Sequence, residues 1–196
     1  SSTGYNGYLS EPVFSFDAGF YSGTLSLELS STVASSNIHF TTDGSEPTEQ
    51  SPIYSAPIIF DTTTVIRTRN FFTGLRLPSL TVTNTYFMND TFTVPVVSIS
   101  TDPESFFGDS GIYVPGPLAD SGIFNYTMDW RTTVHAEYFD QDQTLAFNQD
   151  FGCEIFGGGS RHHPMKSLKL IASEQYGKKT IDSVSYTHLR AHETSE

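Results

Sequence analysis

Apolar residues alternate over short stretches, and Leu, Ala, Lys and Glu never form a long helical run, which favours β structure for most of the chain. In Thr24-Leu25-Ser26-Leu27-Glu28-Leu29 the leucines occupy every second position, so an extended backbone puts all three on one face. Asn37 to Thr42, Ile58 to Phe60, Thr63 to Arg69 and Thr81 to Phe87 are further strand candidates. Turn chemistry separates them, as at Asp43-Gly44-Ser45, where small polar residues bond their own backbone and accept unusual dihedrals. The aromatic content comes mainly from 16 Phe and 10 Tyr, types that suit a pleated, half-buried surface. Several short strands at this spacing predict an antiparallel β-sandwich, preceded by a small, polar lead-in over residues 1–10.

A boundary is expected near Asn89 to Phe92. Beyond it, Val94 to Ser100 reads as an apolar strand, and Pro103 opens a helical turn that Asp102 caps. A loop rich in Gly and Pro runs over residues 108–122. Strands at 133–139 and 144–151 are joined through Asp140-Gln141-Asp142-Gln143. Cys153 to Phe156, the glycines Gly157-Gly158-Gly159 and a strand from Lys166 to Ala172 follow.

A net charge of −12 argues against nucleic acid or anionic membrane as a nonspecific partner, because neutralising phosphates needs a basic face. No stretch is long enough to insert across a bilayer. The positive charge is unevenly spread: no Lys precedes Lys166, and Lys169, Lys178 and Lys179 follow it closely. An anion site would lie there; read by charge alone, the stretch is a solvated strand face. Cys153 is the single cysteine, which excludes an intramolecular disulfide and reads as a buried structural thiol.

Glu11-Pro12-Val13-Phe14, Gly19-Phe20-Tyr21, Ile38-His39-Phe40-Thr41-Thr42-Asp43-Gly44-Ser45-Glu46-Pro47-Thr48 and Ser51-Pro52-Ile53-Tyr54 together resemble the chitobiase/β-hexosaminidase C-terminal type of domain over residues 11–88. The resemblance implies an immunoglobulin-like accessory module without catalysis of its own. Asp43 is read as a turn former, and Asp43 with Glu46 as no glycosidase pair, since no cleft or separation is known. Binding of a cell-surface glycan through exposed aromatics stays open beside this.

Residues 93–183 resemble the amino-terminal part of the CotH-type (spore coat protein H) kinase family. The likeness rests on Val94-Pro95-Val96-Val97-Ser98-Ile99, Thr101-Asp102-Pro103, Gly111-Ile112-Tyr113-Val114, Asn125-Tyr126, Trp130-Arg131, and His135 to Asp140. It continues through Gly157-Gly158-Gly159-Ser160-Arg161, Pro164, Lys166-Ser167-Leu168-Lys169-Leu170 and Glu174 to Gly177. It implies a phosphotransferase using ATP and Mg2+, acting on a protein phosphoacceptor, with a mainly β amino-terminal region. Gly158, Gly159, Ser160 and Arg161 would face the nucleotide, because glycines admit phosphates to the backbone and Arg offers a forked donor. Lys166 or Lys169 would add a point charge on the phosphates. Three residues apart, they face opposite sides of a regular strand, and Lys166 is the one favoured for the cleft. The glycine triplet departs from the family's more usual loop. The catalytic and metal-binding carboxylates of such a kinase belong to a later helical part, so these residues read as an inactive fragment. A non-catalytic adhesion module is the alternative.

Pairing of these two modules, with the scarcity of Lys, implies an extracellular or cell-surface protein. His162 and His163 read as loop residues, and Asp140 and Asp142 as turn residues rather than a calcium site, their ligand set being incomplete. Val184 to Thr194 resembles a translated sequencing-adapter tail, so 184–196 is expected to be non-native. The i, i+4 pair His188 and His192 is set aside with it.

Overall fold

The structure, a computed structural model, describes residues 7–72, 74 and 76–181. They divide into two compact units, one of residues up to Val96 together with Gln141–Thr144, the other of Val97–Asp140 and the residues from Leu145 on. Expectations for the tail 184–196 and for Ser1 to Asn6 fall outside the described residues.

In the first unit the strands are β1 (Val13–Phe14), β2 (Gly19–Tyr21), β3 (Leu25–Leu27), β4 (Leu29–Ser30), β5 (Asn37–Thr41), β6 (Ile58–Phe60), β7 (Thr64–Phe71) and β8 (Val82–Met88). A four-stranded sheet in the order β2-β8-β7-β5 is accompanied by two short pairs, β1-β4 and β3-β6. Leu25, Leu27, Leu29, Ile38, Ile66, Tyr86 and Met88 meet in one core fed by the sheet and by both pairs. This is the β-sandwich that the alternation demands: each strand is apolar on one face and must bury it against another layer. Tyr86 is wholly buried and keeps its hydroxyl satisfied by donating to the Phe16 carbonyl at 2.9 Å.

Two details differ from the sequence expectation. Thr24 to Leu29 is not one strand; it breaks at Glu28, whose N–H donates to Ser15 Oγ and whose carbonyl accepts from the Ser15 N–H, both at 2.9 Å. The chain thereby changes partner, β3 pairing with β6 and β4 with β1, while the period of two still buries all three leucines. Gly7 to Ser10, taken from composition as part of a flexible lead-in, is instead held in place. Leu9 is buried, Tyr8 bridges Leu77, and the Leu9 N–H donates to the Leu77 carbonyl at 3.0 Å. One apolar side chain with a place in the core outweighs the small, polar composition around it.

The second unit contains β9 (Val96–Ser100), α1 (Pro103–Phe107), β10 (Arg131–Phe139), β11 (Leu145–Phe156) and β12 (Ser167–Ile171), with sheet order β12-β11-β10-β9. Asp102 caps α1 by accepting from the Glu104 N–H at 3.0 Å, with Pro103 at the first helical position. Phe106, Ile112 and Tyr126 from α1 and the long loop pack on Val134, Ala136, Phe151, Cys153 and Ile155 of the sheet. The loop is fixed by Asn125, whose Nδ2 donates to the carbonyls of Asp109 and Gly111 at 2.8 and 3.0 Å. Gly116, at φ +81°, lies directly on that amide, and a Cβ there would collide with it. Cys153 is fully buried, and burial first, then the neighbouring Glu154, pushes its thiol up to about 12. It is a packing group, as expected for a lone buried thiol. Among the described residues no helix is long and apolar enough to cross a membrane.

Candidate functional site

The glycine segment leaves β11 and returns as β12 after one 3-10 turn over Gly159–His162. Gly157 takes φ +122°, a conformation that L side chains rarely adopt. A Cβ on Gly158 or Gly159 would meet nothing within 4 Å, so the space beside both backbones is open. The turn closes through the Arg161 N–H to the Gly158 carbonyl and the His163 N–H to the Ser160 carbonyl, both at 3.1 Å.

The three cations of the segment are each engaged. Arg161 Nη1 donates to the Thr127 carbonyl at 3.1 Å and stands 3.3 Å from Asp129 Oδ1. Asp129 is 90 % exposed, so water competes for that pair. Lys166 precedes β12 rather than lying within it, a departure from the expected strand at 166–172. Its Nζ donates to the His163 carbonyl at 2.8 Å and sits 4.3 Å from the Tyr126 ring and 5.2 Å from the Tyr113 ring. Its N–H donates to Tyr113 Oη at 3.0 Å, and that hydroxyl in turn donates to the Pro164 carbonyl. Lys166 is therefore a fastening between the glycine segment and the loop below it.

Lys169 lies on the other side of the sheet. Leu168 and Leu170 pack against the core, which turns Lys169 outward by strand alternation. Cross-strand register places Glu154 opposite both Arg131 and Lys169, and the carboxylate accepts from Lys169 Nζ at 2.9 Å and from Arg131 Nη2 at 3.1 Å. Burial pushes the Glu154 carboxyl up, but the hydrogen bonds from Lys169 and Arg131 outweigh it and hold the group below the usual range. Gly152 lies beside this row because a Cβ there would come within 2.6 Å of Arg131 Cδ and 2.5 Å of the Tyr176 ring. The expected site residues thus split: Ser160, Arg161 and Lys166 go with the loop, and Lys169 goes with the opposite face. Glu154, Arg131, Tyr113 and Tyr126 carry the arrangement and were not foreseen; each is identified by partners on other strands or loops, not by local spacing. His162 is exposed as expected but leans edge-on against Phe124 and Tyr126. Among the described residues, no group of three or more His, Cys, Asp and Glu could hold a metal ion.

In the first unit, the polar stretch Thr41 to Thr48 is an architectural knot. Asp43 Oδ1 accepts from the Ser45 hydroxyl at 2.6 Å and the Ser45 N–H at 3.0 Å, and these bonds draw its carboxyl below the ordinary value. Arg67 on β7 donates to the Gly44 carbonyl at 2.7 Å and to Glu46 Oε2 at 2.5 Å. Arg69 approaches the same carboxylate at 3.6 Å, and Thr81 donates to it. Glu46 is thus engaged by two guanidinium groups and a threonine, and Asp43 closes its own turn, so both carboxylates are taken up by local structure.

Residues 16–83 match the chitobiase/beta-hexosaminidase C-terminal domain. In this chitobiase-type domain the Asp43–Glu46 knot ties the turn after β5 to β7 and to the residues leading into β8. Its two carboxylates serve the fold. No curated protein and no solved structure matches the chain.

Proposed function

We propose that the chain joins a chitobiase-type accessory sandwich to the nucleotide-facing sheet of a CotH-like phosphotransferase, exported or held at a cell surface. The observation that supports it is the Lys169–Glu154–Arg131 row across β12, β11 and β10, with the open glycine turn joining the first two of these strands. Protein kinases likewise pair the strand lysine that meets nucleotide phosphates with a glutamate, there carried on a helix rather than on the next strand. Lys169, rather than Lys166, is then the phosphate lysine, because Lys166 is occupied with two tyrosine rings. Gly158, Gly159, Ser160 and Arg161, in the turn that joins β11 to β12, stand at the end of the same two strands as the rim of that site, with ATP and Mg2+ as the expected ligands and a protein as the phosphoacceptor. The sandwich acts as the module that holds the protein to a surface glycan. By itself this chain binds nucleotide and transfers no phosphate.

Titration with a fluorescent ATP analogue tests the reading. Lys169→Ala should weaken binding about tenfold or more, the loss of one charge-assisted contact, while Lys166→Ala, which only loosens the glycine turn, should weaken it clearly less. Absence of nucleotide binding, or equal binding by the Lys169→Ala variant, would sink it. Magnesium-dependent ATP turnover by this chain would refute the claim that it transfers no phosphate.

A further inference from the structure

The first 96 residues carry three cations, Arg67, Arg69 and Arg76, and no Lys. Arg67 and Arg69 are tied to Glu46. Arg76 is exposed and makes no hydrogen bond or ion pair among the described residues. It lines a groove of about 390 Å³ together with Ser10, Thr32, Val33, Ala34 and Phe72, a volume within the roughly 300–1,000 Å³ range of small-molecule sites.

The groove is built from fixed walls. Asn70, fully buried on β7, donates from Nδ2 to the Ser10 carbonyl at 2.8 Å and to Ser31 Oγ at 2.9 Å, so one side chain holds two walls. The Ser31–Ser36 turn is closed by the Val33 N–H donating to Ser31 Oγ at 3.1 Å and by Ser36 Oγ donating to the Val33 carbonyl at 2.9 Å. The wall carrying Arg76 is tied to the wall carrying Ser10 by the bonds between Leu77 and the Gly7–Leu9 backbone. Walls ordered before a ligand arrives lower the entropy lost on binding.

We propose that this groove takes a carboxylate-bearing sugar. The lining divides as such a ligand does. An aromatic ring, Phe72, offers an apolar face to a pyranose, the hydroxyls of Ser10 and Thr32 match sugar hydroxyls, and the Arg76 guanidinium matches a carboxylate with two parallel donors. In a chain of net charge −12, a cation without a carboxylate partner among the described residues favours an anionic ligand. This inference rests on the reading of the sandwich as a glycan-holding module and adds its site and ligand class.

The test is direct binding of the full chain to oligosaccharides of galacturonate, glucuronate and sialic acid, each beside its neutral counterpart, with Arg76→Ala, Arg76→Lys and Phe72→Ala variants. At least one acidic member should bind. Its affinity should fall about tenfold to a hundredfold in the Arg76→Ala variant, less in Arg76→Lys, and on addition of salt. Arg76 is exposed, so its replacement leaves the melting profile unchanged and the loss reports the site. Acidic-sugar binding that survives Arg76→Ala, or binding of neutral sugars alone, would overturn the groove assignment and leave the glycan-module reading standing. No binding across the set would overturn both.

Discussion

Replacing Arg67 should loosen the chitobiase-type domain by an amount that can be worked out from its contacts. The guanidinium is 11 % exposed and donates to the Gly44 carbonyl, to Glu46 Oε2 and, at 3.3 Å, to Thr83 Oγ1. Buried charge-assisted bonds contribute roughly 1.5–3 kcal/mol each, but Glu46 is 41 % exposed and water screens its share heavily. Arg67→Ala should therefore cost about 2 kcal/mol. Arg67→Lys should cost about half of that, since an ammonium cannot span a carbonyl and a carboxylate as a planar fork does. Glu46→Gln should cost about 1 kcal/mol, and the double variant should be less destabilised than the sum because the two residues share one interaction. Urea unfolding followed by hydrogen–deuterium exchange of peptides from 37–48 and 64–71 reads this unit apart from the other. With a slope of about 2 kcal/mol per molar, the Arg67→Ala midpoint should fall by about 1 M. A shift under about 0.3 M, or strictly additive costs, would refute the view that the Thr-Asp-Gly-Ser-Glu-Pro-Thr stretch is an architectural knot.

Three further outcomes are expected. Glu154 is held below its ordinary value, so the stability it contributes is complete above pH about 4.5 and is lost as pH falls through the lower folded value; Glu154→Gln should flatten that acid limb in a pH series of melting temperatures. Cys153, with its thiol raised to about 12, should resist a colorimetric thiol reagent at pH 8 in the folded protein and react fully in denaturant; prompt reaction when folded would contradict its burial. Lys166→Met should keep the aliphatic stem but lose the charge above Tyr113 and Tyr126, costing about 0.5–1 kcal/mol and speeding amide exchange over residues 157–165. Unchanged exchange there would dismiss Lys166 as the fastening.

Strand content was legible in the sequence because the period of two is local: Leu25, Leu27 and Leu29 announce a buried face whatever they pair with. The cap of α1 was legible for the same reason, since Asp102 acts on an N–H two residues away. Which strands pair was not. That β2 lies parallel to β8, that Glu28 marks a change of partner, and that Leu9 draws the lead-in onto Leu77 all depend on contacts distant along the chain.

The candidate site divides along the same line. Glycines, an arginine and lysines following one another could be read as an anion loop from their order alone. Their orientation could not, because Lys166 takes its place from Tyr113, 53 residues earlier, and Lys169 from the register of β11 against β12. Local spacing determined which groups the chain can offer: a sandwich of alternating strands, a knot around Asp43 and a cationic stretch after the glycines. Tertiary packing decided which cations are occupied and which are not. A charge is neutralised by whatever carboxylate, carbonyl or ring lies within a few ångströms in space, and distance along the chain does not record that.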